Sequence, residues 1–592
     1  MPGRGDRGGV KAKPKDAKGA LRRIIRYLMK YRFMVLVFLI FAFLSNLGNL
    51  MGPNFAGKAI TAASAGEGKV DMDLVIHYAM LMLIAYVASN VLSFLVSIGM
   101  MRIGRRVAEN MRRDVFDKLM TLPVGYFDRN QAGDIISRVS YDIDVVSTSL
   151  STDIVQILTS LVTVVGSFIM MCSISIPLVL CMVFTIPISI IFTRKMGKIT
   201  RPRYSARSKS YGVMNGFVEE MFTGQKTILA YANENNVCER FSTINRNAAE
   251  AYRKADGLGM IMGPTIGLIS NIGLAAIGMG GAALYLGGTV NLGQISSFIL
   301  YSRKFSGPIN EIANIINEIF SALAAAERVF TLLDEPEEAK DIYGAKVLEN
   351  AEGDVEAKDV SFGYIPEKVI LKKLSLKAKP GQTIAIVGPT GAGKTTIINL
   401  LMRFYDVNSG EIRVDGTPHT DYTMDSLRRN YAMVLQETWV FRGTIYDNIA
   451  YGKEHATMDE VVAAAKAAHI HGYIMRLPDG YNTVISEDGG NISKGQKQLL
   501  TIARAMLYNT NMLILDEATS NVDTTTERQV QKAMRELMKG RTSFVIAHRL
   551  STIQNADNIL VLDHGDVVEQ GTHEELMLMK GFYYRMYRGQ FE

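Results

Sequence analysis

Charged residues are missing from four long stretches in the first half of the chain, and this pattern predicts the architecture before any motif is considered. Residues 33–57 (25 positions) and 74–101 (28 positions) contain no Asp, Glu, Lys or Arg. Each suits one membrane-spanning helix. Residues 154–193 number 40 and residues 257–302 number 46. At about 1.5 Å per residue, either would form a helix roughly twice the thickness of the hydrocarbon layer, so each must fold back as a hairpin. The turn signals are Ser173 to Pro177 in the first stretch and Gly287-Gly288-Thr289-Val290-Asn291-Leu292-Gly293 in the second. The last span then continues past Arg303, Lys304 and Pro308, and six spans result. Core helices of a soluble protein do not reach such lengths.

The polar segments set the orientation. Lys and Arg number eleven in residues 1–32, eight in 102–145 and twelve in 194–257. The loop between the first two spans has only Lys58 and Lys69, and the two hairpin turns have none. The positive-inside rule therefore expects both termini and the two long connections in the cytoplasm of a multi-pass cell-membrane protein. Apolar Ile103, Val107, Met111, Phe116 and Leu119 recur among the basic residues of 102–122, as in an amphipathic helix leaving the bilayer, until Leu122-Pro123 breaks it. Residues 203–255 have a similar pattern. Helices that run on beyond the membrane are expected to carry cross-helices at their far ends. The basic first residues precede any apolar run and show no cleavage-like site, so no removable signal peptide is expected.

The pattern changes near Ala326. We expect a disordered basic tail over 1–20, a six-span transmembrane domain with long cytoplasmic helices over 21–325, a linker over 326–353 that includes Asp334-Glu335-Pro336-Glu337-Glu338, and a soluble domain over 354–592. In that last part short Val/Ile-rich runs alternate with helical stretches, the signature of an α/β fold. Composition agrees: 592 residues exceed one core, and a mean hydropathy of +0.10 is high for a soluble enzyme of this size. The net charge of +7 follows from topology and requires no nucleic acid. Cys172, Cys181 and Cys238 form no metal-ligand or disulfide pattern.

The chemistry lies in the soluble part. Thr383-Ile384-Ala385-Ile386-Val387 reads as a buried strand leading into Gly388-Pro389-Thr390-Gly391-Ala392-Gly393-Lys394-Thr395-Thr396 and then a helix. This is a phosphate-binding loop in its required strand–loop–helix setting. Its glycines let backbone N–H groups converge on phosphate oxygens, Lys394 reaches the β/γ-phosphates and the Thr395 hydroxyl is placed to ligate Mg²⁺. A second strand, Met512 to Leu515, ends in Asp516-Glu517, with Asp516 expected to hold Mg²⁺ through its water shell and Glu517 to polarise the attacking water. A third strand presents His548 at its end.

Between these motifs, Asn491-Ile492-Ser493-Lys494-Gly495-Gln496-Lys497-Gln498 is similar to the LSGGQ signature of ATP-binding-cassette (ABC) proteins. The set occurs in the family's order: Tyr364, the phosphate loop, Gln436, the signature, Asp516-Glu517, Ser520-Asn521-Val522-Asp523 and His548. In the first half Tyr126-Phe127-Asp128-Arg129-Asn130 and Gly133-Asp134-Ile135-Ile136-Ser137-Arg138 resemble the exporter branch. The resemblance covers residues 20–590 and implies a half-transporter: a membrane all-α six-helix transmembrane domain of the type I exporter (type IV ABC) fold, fused to an α/β P-loop NTPase cassette. It further implies that Tyr364 stacks on adenine, that Gln436 ligates Mg²⁺ and senses the γ-phosphate, and that His548 contacts the γ-phosphate. Ser493, Gly495 and Gln496 would complete the ATP site of a second subunit, and Asp523 would belong to the loop crossing between the sites. Segments near 125–131 and 211–220 resemble coupling helices.

Two departures stand out. Lys494 and Ile492 replace the usual glycine and leucine of the signature, and Asn521-Val522 replaces Ala-Leu. Both resemble the glutamate-bearing half of heterodimeric bacterial exporters; a homodimeric lipid flippase or multidrug exporter is the alternative. The implied function is ATP-driven export of a drug, a lipid or a peptide. An ATP-gated channel on the same fold is the rival class, and Glu517 favours turnover over gating. The six spans remove a soluble nucleic-acid-handling ATPase, and the short, cysteine-free start disfavours a peptide exporter with its own N-terminal protease. Inside the spans, Asn46, Asn49 and Asn90 suit helix–helix hydrogen bonds, while Arg303, Lys304, Glu311 and Glu318 mark either a pathway or structural pairs.

Overall fold

The computed structural model describes residues 14, 16–64, 70–183, 185–365, 367–435, 438–486, 490–516, 524–547 and 553–591. It contains two compact units, Met1–Leu122 with Asn130–Pro336, and Pro123–Arg129 with Glu337–Glu592.

Among the described residues the first unit is built of helices. α1 (Ala17–Met29) precedes α2 (Arg32–Ala63) and α3 (Met72–Met120). α4 (Val124–Arg129) is a one-turn segment assigned to the second unit. After α5 (Ala132–Ser137) a π-helical turn, Arg138–Asp142, runs into α6 (Ile143–Ile174). The chain continues through α7 (Ile176–Val183), α8 (Thr185–Thr223), α9 (Gln225–Ala230), α10 (Glu234–Leu286) and α11 (Leu292–Leu333). Both expected hairpin turns fall between helices, at Ser175 and at residues 287–291. Among the described residues, four helical stretches are long and apolar enough to cross a membrane: Arg32–Ala63, Met72–Met120, Ala132–Ile174 and Glu234–Leu286. The other two expected spans are the α7–α8 path, which passes through residue 184 outside the described residues, and α11, whose apolar run carries Arg303 and Lys304.

Three boundaries differ from the sequence reading. Helix is already present at Ala17, inside the tail expected to be disordered, because Asp16 caps its first turn by accepting from the Gly19 N–H. The linker expected from 326 begins inside α11, where Ala324-Ala325-Ala326-Glu327-Arg328 sustains helix to Leu333 and the two units part after Pro336. The short cross-helix of the second connection is Gln225–Ala230, bounded by Gly224; residues 211–220 are the uninterrupted continuation of α8.

Several polar side chains inside this unit close gaps between helices, whereas Asn90, expected to do the same, donates to the Tyr86 carbonyl of its own helix. Ser45 of α2 and Ser89 of α3 each donate to the other's carbonyl, at 2.8 and 2.6 Å. Asn46 donates to the Thr159 carbonyl (2.6 Å) and exchanges bonds with the Thr163 hydroxyl. Buried Asp142 pairs through both oxygens with Arg328 of α11. α2 and α11 approach closely at Gly57 and Gly293. A Cβ on Gly293 would lie 1.9 Å from the Gly57 carbonyl oxygen, and one on Gly57 would lie 2.5 Å from that of Gly293. Two helical backbones pack this tightly only where neither carries a side chain.

The second unit is the expected α/β domain. β1 (Val355–Phe362), β2 (Leu371–Ala378), β4 (Ser409–Val414) and β5 (Thr417–Pro418) form an antiparallel sheet in the order β2-β1-β4-β5. β3 (Thr383–Val387), β6 (Tyr431–Val434), β9 (Met512–Asp516), β10 (Thr542–Ile546), β11 (Asn558–Asp563) and β12 (Asp566–Gly571) form the second, in the order β12-β11-β3-β10-β9-β6. Its strands are parallel except for β12, and the central ones are buried on both faces. Ile384, Ile386 and Ile514 face the antiparallel sheet and α12 (Lys394–Leu401). Ala385, Val387, Leu513 and Leu515 face a helical layer. After α13 (Met424–Arg429), that layer holds α14 (Ile445–Ala450), α15 (Met458–Ala467), α16 (His471–Ile474), α17 (Lys494–Tyr508) and α18 (Thr524–Met538). The short ladder of β7 (Gly443–Thr444) and β8 (Val484–Ile485) lies beside it.

The Gly57–Gly293 crossing leads to a specific expectation. Gly293→Ala should cost about 1–3 kcal/mol through overpacking and lower the thermal midpoint of the detergent-solubilised protein. Gly267→Ala, where nothing lies within 4 Å of the added carbon, should not. Equal midpoints for the two variants would show that the crossing is not a tight contact.

Candidate nucleotide site

The parallel register places the site. Ile386 of β3 lies opposite Ile546 of β10, and Ile546 lies opposite Asp516 of β9. The three strands therefore end level, and one sheet edge carries the start of the phosphate loop and the Asp516 carboxylate. Gly388 follows β3 directly at φ +154°, where a Cβ would lie 2.3 Å from the Leu562 carbonyl oxygen of β11. Gly391 is left-handed at φ +84° with nothing within 4 Å of a would-be Cβ, so the crest of the loop is an open backbone cradle. Lys394 starts α12 and folds back, donating to the Gly388 (2.7 Å) and Pro389 (3.0 Å) carbonyls. Burial holds its ammonium below the usual lysine range, and the Asp516 carboxylate opposes that shift. Thr395 is exposed on the first turn of α12 and Asp516 is half-buried. A hydroxyl and a carboxylate oxygen at one sheet edge are the hard donors that Mg²⁺ takes.

Tyr364 stands two residues beyond β1 and is 44% exposed, enough to leave ring surface open. Its hydroxyl contacts Thr396 Oγ1 at 3.3 Å and accepts from Asn399 Nδ2 at 3.0 Å, which ties it to α12. Its ring meets those of Phe362 and Tyr405 edge-on, with centroids 5.0 and 4.9 Å apart. Tyr405 was not singled out in the sequence, because an aromatic after a short helix carries no spacing signal. Its hydroxyl donates to Asp128 of α4 at 2.5 Å, and a Cβ on Gly125 would lie 2.9 Å from its ring. Burial, together with that hydrogen bond, raises the Tyr405 phenol well above its ordinary range.

The signature residues lie elsewhere in the same unit. Ser493 caps α17: its hydroxyl accepts from the Gln496 N–H, and Gln496 Oε1 accepts from the Ser493 N–H at 2.9 Å. The hydroxyl proton of Ser493 is left for another acceptor. Lys494 is the exposed first residue of the helix, Gly495 is buried behind it, and Ile492 is packed into the core. Among the described residues no hydrogen bond joins Ser493, Gly495 or Gln496 to the phosphate loop. Gln436, Glu517, His548 and the Ser520 to Asp523 segment lie outside the described residues.

Comparison with known proteins decides the family. Residues 35–309 match the model of the ABC transporter transmembrane region, and residues 371–520 match the model described as ABC transporter. An uncharacterized ABC transporter ATP-binding protein of Bacillus subtilis is 41% identical over 98% of this chain and 96% of its own length. The chain belongs to the ABC transporters. A fatty acid ABC transporter ATP-binding/permease protein of Mycobacterium bovis is 46% identical to this transporter over 81% of the chain and 75% of the relative. An ATP-dependent lipid A-core flippase of Mannheimia succiniciproducens is 36% identical, over 89% and 90% respectively. The structure of a bacterial Atm1-family ABC exporter with ATP bound superposes with a TM-score of 0.74 at 28% identity, covering 95% of this chain and 98% of that one. The transporter is an exporter-type half-transporter, a multi-pass membrane protein whose ATPase is coupled to transport.

The open ring of Tyr364 leads to an expectation for nucleotide binding. Tyr364→Ala should weaken ATP binding by about 1–3 kcal/mol, the scale of base–aromatic stacking. Tyr364→Phe, which loses only the hydroxyl contacts, should bind nearly as the parent does. Calorimetric titration with ATP checks both, and unchanged affinity in the alanine variant would make Tyr364 a packing residue.

Proposed function

We propose that this transporter exports an amphipathic lipid-like substrate as one subunit of a dimer, with its cassette and both termini in the cytoplasm. The observation that carries the ATP-driven part is the level ending of β3, β9 and β10, which puts the phosphate loop and Asp516 on one edge. Two relatives named for fatty acid and for lipid A-core transport support the substrate class over a drug or a peptide.

The residues divide the work. Tyr364 holds the adenine, and Gly388, Pro389, Thr390, Gly391, Ala392, Gly393 and Thr396 form the wall around the phosphates. Lys394 neutralises the β/γ-phosphates, for which it exchanges its carbonyl contacts. Thr395, Gln436 and Asp516 are the Mg²⁺ ligands; when bound, the ion screens the charge on the phosphate oxygens. Glu517 takes the proton of the attacking water, and His548 contacts the γ-phosphate. Ser493, Gly495 and Gln496 at the α17 N-terminus face the ATP of the other subunit, where the helix dipole favours an anion.

Lys494 favours an unlike partner. A cation on the first turn opposes the helix dipole by about 0.3–1 kcal/mol and adds bulk where the family pattern has glycine. This chain thus keeps its own hydrolytic groups but offers an altered signature to the opposite site. The partner, in this reading, supplies an ordinary signature and lacks the glutamate equivalent to Glu517.

Two measurements test these readings. Glu517→Gln keeps the shape of the side chain and removes the base, so ATP should stay bound while turnover falls by orders of magnitude. Hydrolysis at the parent rate would dismiss Glu517 as the base. Expressed alone, the chain should assemble poorly or hydrolyse slowly, and a second half-transporter should restore the rate. Lys494→Gly should then alter mainly the site opposite. A stable homodimer with two equivalent hydrolytic sites would rule out the unlike pair.

A further inference from the structure

Three side chains of α11 supply hydrogen bonds to the backbone of α2, and only one of them is charged. Ser297 donates to the Pro53 carbonyl at 2.8 Å, Tyr301 to the Leu50 carbonyl at 2.7 Å, and Lys304 to the Asn49 carbonyl at 2.7 Å. Spacings of four and then three residues put all three on one face of α11. The reason is local. Pro53 sits inside α2 and has no N–H, so the carbonyl four residues earlier, that of Asn49, has lost its helical donor. Within hydrocarbon that carbonyl must be bonded by something else, and Lys304 does so.

That task needs a donor and not a charge, as the neutral hydroxyls of Tyr301 and Ser297 show one and two turns away. The charge of Lys304 has no internal counterpart. Its ammonium also donates to Asn49 Oδ1 at 2.5 Å and stands 5.7 Å from the Tyr86 ring centroid of α3, and both groups are neutral. Among the described residues no carboxylate pairs with it. Glu311, the nearest acid on the same helix, is about 10 Å further along the axis and is bonded to Gln156. At about 1.5 Å per residue, Lys304, Asn49 and Tyr86 lie roughly 18–21 Å from the same end of the bundle, which is within the hydrocarbon layer. A charge at that depth is costly, and an ionisable residue there marks a substrate or ion pathway by default. Arg303, exposed and next in sequence, adds positive potential.

We propose that Lys304, framed by Asn49 and Tyr86, is the subsite for the anionic headgroup, carboxylate or phosphate, of the exported amphiphile. The three N–H donors of the ammonium exchange the Asn49 side-chain oxygen for a headgroup oxygen while one stays on the Asn49 carbonyl. The subsite rests on the export reading above and narrows its substrate class to anions.

The assembled transporter in phosphatidylcholine nanodiscs gives the test. Stimulation of ATPase is compared for oleate, dioleoyl phosphatidate and the neutral methyl oleate. The parent should respond several-fold more to an anionic amphiphile than to methyl oleate; the stronger of the two acids identifies the headgroup as carboxylate or phosphate. Lys304→Gln, which keeps a donor for Asn49, should bring that ratio to about one, and Lys304→Arg should preserve it. Asn49→Asp, which pairs the ammonium internally, should also bring it to about one and serves if Lys304→Gln does not fold. A parent that responds equally to methyl oleate, or a Lys304→Gln variant that keeps the parent ratio, would overturn the subsite. A parent with no Glu517-dependent hydrolysis would instead overturn the export reading itself, whatever Lys304 does.

Discussion

The helical unit is organised by one constraint: a backbone polar group in hydrocarbon has no water to turn to. Continuous helix satisfies most of these groups, and the exceptions determine where polar side chains go. The missing N–H of Pro53 calls Lys304 to the Asn49 carbonyl, and the hydroxyls of Ser297 and Tyr301 bond the nearby Pro53 and Leu50 carbonyls. The reciprocal Ser45–Ser89 bonds and the Asn46–Thr163 exchange close the α2–α3 and α2–α6 contacts in the same way. Among the described residues most of these buried polar groups have an identifiable partner, Ser167 Oγ of α6 being an exception. Against that background a charge without a counter-charge is conspicuous.

In the cassette the controlling feature is strand register. A sheet buried on both faces favours apolar residues along its strands, with Thr542 and Ser543 at the start of β10 as buried exceptions. Function is displaced to their ends, where the phosphate loop and Asp516 meet because β3, β10 and β9 stop together. The antiparallel sheet brings Tyr364 to the same place from more than twenty residues earlier, and the ring contact with Tyr405 extends the cluster to Asp128. α4 lies between two membrane helices in the chain, yet it packs with the cassette. The candidate adenine-stacking ring is thus one aromatic contact and one hydrogen bond away from a segment covalently joined to the membrane helices.

The signature helix shows how a small sequence change acquires physical meaning. Ser493 and Gln496 form a reciprocal capping box, so the α17 N-terminus is fixed whatever stands between them. Ile492 preserves a packed apolar position, and its departure from the family pattern is neutral by burial. Lys494 is different, since it is exposed on the first turn with its charge opposed to the dipole.

The sequence by itself determined the class of fold, the helical hairpins and the phosphate loop, because each follows from a local rule: charge-free length, turn chemistry and glycine spacing. It also marked Asp516, which ends a recognisable strand, whereas Tyr364 was marked only by the family resemblance. The resemblance put the second cross-helix near 211–220, where α8 runs on to Thr223 and Gly224 interrupts it, and the composition change ended the first unit eleven residues early, because helix propensity continues through it. Lys304 and Asn49 were visible only as separate polar residues in apolar runs, and Tyr405 was not visible at all. Their partners lie 255 and 277 residues away in the chain, and no local pattern encodes a contact at that separation. Only the packing of α11 on α2, and of α4 on the cassette, decides them, because a hydrogen bond in hydrocarbon or across a buried face is set by which unsatisfied group the fold brings within reach.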